Sequence, residues 1–289
     1  MSVNVINDAT LAAIGSSIET LYEKARDGVE DNLAGKVYNE RKTNKSMVAI
    51  RSLDGFGLMR EFKSERQPGI VGEAITVATP VKWERTIDVK REDIEDDDYG
   101  YITDLANSVG VASKRTPIAE IAKALMKGFT TTLSDGQYFF SAAHGNLQSG
   151  ALNASNLQAA LDKIAAQTDA NGGALAFQGK VLVVGPSNTS AAKSLIETET
   201  ISGTTNIYYK ALDLVISPFI TDNSWYVVDN AEGVMPLLLV MRIAPDKIVA
   251  RDETNSDRAF DKDIYSWGTR GRFCAAYHNY KLIVGSTGS

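Results

Sequence analysis

Trp83-Glu84-Arg85-Thr86-Ile87-Asp88-Val89-Lys90-Arg91-Glu92-Asp93-Ile94 decides how this chain is organised. Trp83, Ile87 and Val89 alternate with Glu84, Thr86, Asp88 and Lys90, the period of a strand with one wet face. Upstream, Phe56-Gly57-Leu58-Met59-Arg60-Glu61-Phe62 offers a pairing partner, and Ser64-Glu65-Arg66-Gln67-Pro68-Gly69 between them is rich in charge and turn residues. The pattern predicts an extended β-hairpin within residues 46–92, polar at its tip. Two-stranded arms are marginal alone in water. The expected support is a neighbouring subunit, with Arg60, Glu61, Phe62, Lys63, Glu65 and Arg66 as candidate contacts.

Beyond the strand lies an acidic run, Glu92 to Asp98. A calcium loop needs Gly at its sixth position and Glu at its twelfth. Counted from Asp93 those places hold Asp98 and Asp104, so a solvated acidic cluster before a helix is the better reading. The helix itself is predicted over Tyr101–Phe129. One stripe is Ile102, Leu105, Ala106 and Val109; a second is Ile118, Ile121, Ala122, Leu125 and Met126. Pro117 between them predicts a kink, or a second segment capped by Thr116. The whole makes a spine of about 40 Å.

Toward the N-terminus, Leu11, Ile14, Ile18, Leu21 and Tyr22 mark one face of a helix over Ala9–Asp27, with Asp8 as N-cap and Gly28 as stop. The stripe packs either on a later domain or on a neighbouring subunit; Leu11, Ile14, Ile18 and Leu21 are candidate inter-subunit contacts. From Thr131 the pattern becomes mixed α/β. Ser155 is the expected cap of a helix carrying Leu157, Ala160, Leu161 and Ile164. Lys180–Val184 reads as a buried strand before a helix over Ser190–Glu197. Leu212–Ser217, Trp225–Asp229, Leu237–Ile243 and the tail Gly271–Val284 are further strands.

The chemistry expected of an enzyme is thin. The 289 residues contain two histidines, His144 and His278, and one cysteine, Cys274, so a histidine-rich metal site and an internal disulfide are excluded. No Gly-x-Ser-x-Gly elbow occurs. Gly185-Pro186-Ser187 follows a strand and opens a helix, but it lacks the second glycine and lysine spacing of a phosphate loop. His144, after Tyr138-Phe139-Phe140, is expected to serve a structural hydrogen bond. Cys274, between Phe273 and Ala275, is expected to be an inert buried thiol. No catalytic residue, cofactor site or metal site is assigned. A net charge of −6 argues against a dedicated nucleic-acid binder. The start Met1-Ser2-Val3-Asn4 lacks a signal pattern, and no run approaches membrane-spanning length, so a cytoplasmic protein is expected.

Three stretches in order resemble the major head subunit of Mu-like tailed phages, a branch of the capsid proteins with the Hong Kong 97 fold. They are Trp83–Ile94 running into Asp97-Asp98-Tyr99-Gly100, then Leu125–Phe129 with Ser134–His144, then Phe260–Arg272. The resemblance implies an α+β fold: an N-terminal arm (1–45), an extended loop (46–92), a peripheral domain with a long spine helix (93–135 and 245–289) and a mixed α/β axial domain (136–244). It implies a major capsid protein that assembles into hexamers and pentamers of an icosahedral shell around double-stranded DNA. Formed in the host bacterial cytoplasm, that shell becomes the virion capsid. The implied partners are further copies of the chain, a separate scaffolding protein and a portal; DNA is contacted non-specifically if at all, and no membrane is involved. Two alternatives stand beside it: an encapsulin-like nanocompartment shell and, from another class, a hydrolase using His144.

Overall fold

The computed structural model describes residues 6–51, 74–96, 99–169, 172–201, 203–230, 233–254 and 256–289. In chain order the elements begin with α1 (Asp8–Asp27), β1 (Tyr38–Lys42), β2 (Val48–Arg51), β3 (Ala74–Ala78), β4 (Val81–Lys90), α2 (Arg91–Glu95) and α3 (Tyr99–Lys127). Next are β5 (Leu147–Gln148), α4 (Ala154–Ala165), β6 (Val181–Val184), α5 (Thr189–Ile196), β7 (Thr200–Ile201) and β8 (Thr204–Thr205). The rest are β9 (Asp213–Ile216), β10 (Trp225–Val228), β11 (Leu237–Ile243), β12 (Ile248–Arg251), α6 (Asp257–Lys262), β13 (Ile264–Tyr277) and β14 (Ile283–Ser286).

Two compact units form. The first comprises Met1–Glu30, Pro80–Ile118 and Met241–Cys274; the second comprises Asp31–Thr79, Ala119–Val240 and Ala275–Ser289.

In the first unit β4 pairs antiparallel with β13 over ten residues, from Val81↔Phe273 to Lys90↔Ile264. On β13, Ile248–Arg251 also pairs with Ser266–Thr269. The Phe56–Phe62 segment expected to pair with Trp83–Val89 lies outside the described residues. Alternation fixes which face of a strand is dry, but it does not select the partner. A hairpin does occur upstream, between β2 and β3, with a register shift at Ile50/Arg51.

The dry face of β4 and β13 presents Ile87, Val89, Tyr265 and Trp267, and α1 and α3 cover it. Leu11, Ile14 and Ile18 are buried in that core and Leu21 packs partly against it. Of the two readings of this stripe, packing on a later part of the chain is the one seen for Leu11, Ile14 and Ile18, with Leu21 only partly covered. Each full burial stabilises by roughly 1.5–3 kcal/mol before entropic costs. Tyr22 is fully buried, and its hydroxyl reaches the Pro245 carbonyl and, at 3.0 Å, Thr269 Oγ1. The cap of α1 is Asn7, which accepts from the Thr10 amide at 2.9 Å. Asp8, the expected cap, instead accepts from Thr254.

Pro117 lies inside one continuous α3 rather than at a break. Thr116 is not a cap; its hydroxyl bonds back to the Ala112 carbonyl at 2.7 Å. An interior proline costs about 3 kcal/mol, and here the buried Pro117 and Ile118 recover it through packing.

The second unit has a mixed five-stranded sheet ordered β5-β14-β10-β6-β9. β10 runs antiparallel to β6 and β14, whereas β6–β9 and β14–β5 are parallel. All four residues of β6 are buried, as are all four of β10, as expected of a central strand. Leu157, Ala160 and Ile164 of α4 pack on it, and the helix is capped by Asn153 rather than Ser155. The expected tail strand proves to be two strands: β13 begins earlier, at Ile264, and a 3₁₀ turn over Tyr280–Leu282 precedes β14.

Gly110 marks a close approach of α3 to α1. A Cβ there would lie 2.4 Å from the Tyr22 carbonyl oxygen and 3.0 Å from Ala25 Cβ. Gly110→Ala gains helix propensity, about 1 kcal/mol, yet it pushes α1 away. The expected net result is a loss of about 1–3 kcal/mol, read from urea denaturation midpoints.

Candidate assembly surface and the tested catalytic groups

The antiparallel pair β2–β3 has a clear footing. Ile50 is fully buried, while Met47 and Val77 leave more than half their surface exposed. The contact candidates Arg60, Glu61, Phe62, Lys63, Glu65 and Arg66 lie outside the described residues. Other large apolar side chains on the surface include Ile207, Val249 and Phe260. Phe260 is on α6, held by the Ser256 cap, which accepts from the Ala259 amide at 3.3 Å. Beside α6, Arg258 makes a two-pronged contact with Asp88, at 2.9 and 3.2 Å, and a 2.8 Å bond to Ser266. Partial burial opposes ionisation of Asp88, but the Ser266 hydroxyl and Arg258 outweigh it and hold the carboxyl below its ordinary range.

His144, the side chain on which a hydrolase would depend, is buried and committed. Its Nδ1 faces the Phe139 carbonyl at 3.2 Å and its Nε2 meets Asp135 Oδ2 at 2.7 Å. The ring stacks on Tyr280 with centroids 4.0 Å apart. Asn146, fully buried, donates to the Phe139 and Tyr280 carbonyls and accepts from the Ser141 amide. These side chains nail a turn whose chain reverses through Gly136 and Gly145, both in the left-handed region at φ 80° and 66°. With both ring nitrogens occupied, His144 holds structure, as expected. Asp135 and Asn146 were not singled out from the sequence; the Asp135-Gly136 turn signal was the available clue.

The remaining candidates resolve in the same way. Cys274 is half-buried, more open than expected. Gly185 is packing, not phosphate binding: a Cβ there would lie 2.4 Å from the Ile220 carbonyl oxygen. Ser187 and Asn188 donate to the Asp222 and Asn223 carbonyls. In the acidic run, Arg91 pairs with Glu95 at 3.0 Å and Asp263 at 3.7 Å. Among the described residues no cluster of His, Cys, Asp and Glu suits a metal ion, and no helix is long and apolar enough to cross a membrane.

For Asp135, partial burial opposes ionisation, but the Gln137 amide and the His144 ring outweigh it and hold the carboxyl below its ordinary range. A lowered folded value means that its stabilisation is complete above the ordinary carboxylate range and fades as pH falls through the lowered value. Asp135→Asn should therefore melt earlier than the unaltered chain near neutrality, with the gap closing in acid. Melting temperatures from about pH 7 to about pH 3 check this. His144→Ala should cost about 1–3 kcal/mol by leaving buried groups unpaired, read from the same melts.

Residues 73–284 match the model of a family described as phage capsid protein. The chain is 24% identical over 201 residues to the Mu-like prophage FluMu major head subunit of Haemophilus influenzae, an alignment covering 70% of this chain and 48% of that protein. It is 25% identical over 206 residues to the major capsid protein of Escherichia phage Mu, covering 71% and 50%. The chain thus spans about half the length of these relatives. Its fold matches a chain of the procapsid of bacteriophage JBD30 with a TM-score of 0.62 at 18% identity, covering 98% of this chain and 76% of that one. Carrying the Hong Kong 97 architecture and matched from β3 into β14, the chain belongs to the phage capsid protein family.

Proposed function

We propose that this chain is a major head subunit that self-assembles into the hexamers and pentamers of an icosahedral shell enclosing phage double-stranded DNA. The observation that carries this reading is the family match over residues 73–284, which takes in most of both compact units. The residues support an architectural role. His144 is spent on holding a turn, whereas apolar side chains stand out at Met47, Val77, Ile207, Val249 and Phe260. An encapsulin-like nanocompartment is the less favoured reading, because both sequence relatives named above are phage head proteins.

In this reading the work is geometric. Residues 46–78 form the loop that lies across a neighbouring subunit, with β4 excluded because it is committed to β13. Residues 93–135 and 245–289 form the peripheral part, and residues 136–244 the part nearer the symmetry axes. Lasting interfaces bury roughly 2,000–5,000 Å², and sharing each copy among several neighbours multiplies modest contacts into a closed shell. The charges Arg60, Glu61, Lys63, Glu65 and Arg66 set register and exclude wrong pairings more than they add affinity. A scaffolding protein and a portal complete the assembly set. The particle forms in the bacterial cytoplasm and touches DNA without sequence preference.

Electron microscopy of the purified, concentrated chain tests the reading, with closed particles expected. Deleting Phe62–Gly72 should leave a folded subunit, by circular dichroism, that makes none. Particles of normal size from the deletion variant would remove the loop from the mechanism.

A further inference from the structure

Phe260 is the most exposed of the large apolar side chains described, at 87%. A single exposed aromatic is ordinary on a protein surface. What gives this one meaning is a matching socket elsewhere on the same unit.

The socket lies at the far end of the β4–β13 ladder. Trp83 and Phe273 stack there with ring centroids 5.6 Å apart and planes within 11°. With Ala112, Pro245 and Gly271 they form the apolar side of a cavity of about 110 Å³, whose other walls are Glu84, Arg85, Ser113, Thr116 and Thr269. That volume is of the same order as the roughly 150 Å³ apolar cavity known to take benzene. Phe260 cannot fill it within one chain. The ladder places Trp83 opposite Gly271 and Lys90 opposite Ile264, just past α6. Seven strand positions at roughly 3.3 Å each separate the two ends by about 23 Å.

Charge follows the same division. Around Phe260 stand exposed Asp257 and Asp261. The Arg91 amide donates to the Asp263 carbonyl at 2.9 Å, which brings exposed Glu92 and Asp96 to the same end. The basic Arg258 there is already engaged by Asp88. At the socket end Lys82, Arg85, Lys247 and Arg270 are exposed, and none makes an ion pair among the described residues. The first unit therefore has one end where the acids outnumber exposed Lys90 and Lys262, bearing an aromatic knob, and another where the cations outnumber exposed Glu84 and Asp246, bearing a hole with one apolar side.

We propose that a second copy of this chain occupies the socket: Phe260 of one copy packs against the wall formed by the Trp83–Phe273 stack of the next, with Asp257 and Asp261 facing Lys82 and Arg85. Knob and hole lie on different surfaces, so the contact is head-to-tail and repeats from copy to copy, as a ring or lattice requires. The aromatic anchor supplies affinity from a pocket, and the opposed charges steer the encounter and reject the reversed approach. The inference rests on the reading of the chain as a self-assembling subunit, and it names one of the contacts.

Sedimentation velocity of the full chain at low salt tests it. The unaltered chain should associate, and Phe260→Ala should weaken association by roughly tenfold or more. Asp257→Lys with Asp261→Lys, and separately Lys82→Glu with Arg85→Glu, should each sediment as monomers. An equal mixture of the two charge variants should associate again, since each end then meets its opposite. Circular dichroism melts matching the unaltered chain show that these exposed positions leave the fold intact. A mixture that fails to associate, a Phe260→Ala chain that associates normally, or an unaltered chain that stays monomeric overturns the contact. Closed shells that persist in Phe260→Ala would overturn it while leaving the shell reading in place.

Discussion

The antiparallel ladder between β4 and β13 is the constraint on which the first unit depends. It joins residues 81–90 to residues 264–273, so closing it orders a loop of roughly 170 residues, which is entropically expensive. The return comes from its dry face. Ile87 and Val89 from one strand and Tyr265 and Trp267 from the other make a floor that neither strand offers alone. The amphipathic helix α1 and the first half of α3 find their partner only once that floor exists. Tyr22 then fastens α1 to the segment around Pro245 and to Thr269 through its hydroxyl.

The same ladder organises the wet face. Register brings Lys82 opposite Arg272, Glu84 opposite Arg270 and Asp88 opposite Ser266. Asp88 is satisfied locally by Ser266 and Arg258, whereas Lys82, Arg85, Lys247 and Arg270 at the other end make no ion pair among the described residues. A protein with net charge −6 thus keeps a basic edge, and local distribution rather than the total describes what its surface can meet.

The second unit spends its polar groups on holding turns. His144 and Asn146 fix the reversal after Phe139 and Phe140, and Asp229 accepts from the Gln178 and Gly179 amides ahead of β6. Phe129, Phe139, Phe140, Tyr226 and Tyr277 pack as a chain of rings between them. Buried polar groups bonded in this way specify a shape. That allocation suits a subunit whose task is to present surfaces in fixed geometry.

Local features of the sequence determined much of this. The stripe of α1, the run of α3, the alternation of β4 and the wholly apolar β6 were legible because periodicity reports which face of an element is dry. The order of the three resembling stretches carried the family and the fold. Tertiary structure alone decided what each dry face meets. Trp83–Val89 pairs with Tyr265–Gly271 near the far end of the sequence, a partner that alternation cannot name because it carries no partner label and only long-range packing selects one. Leu11, Ile14 and Ile18 lie in their own core because the β4–β13 floor, invisible in either strand alone, is there to receive them. Pro117 stays within a continuous helix because burial around it outweighs the missing hydrogen bond. Phe260 and its distant socket could not be read from sequence at all, since exposure is what remains after every other contact has been made.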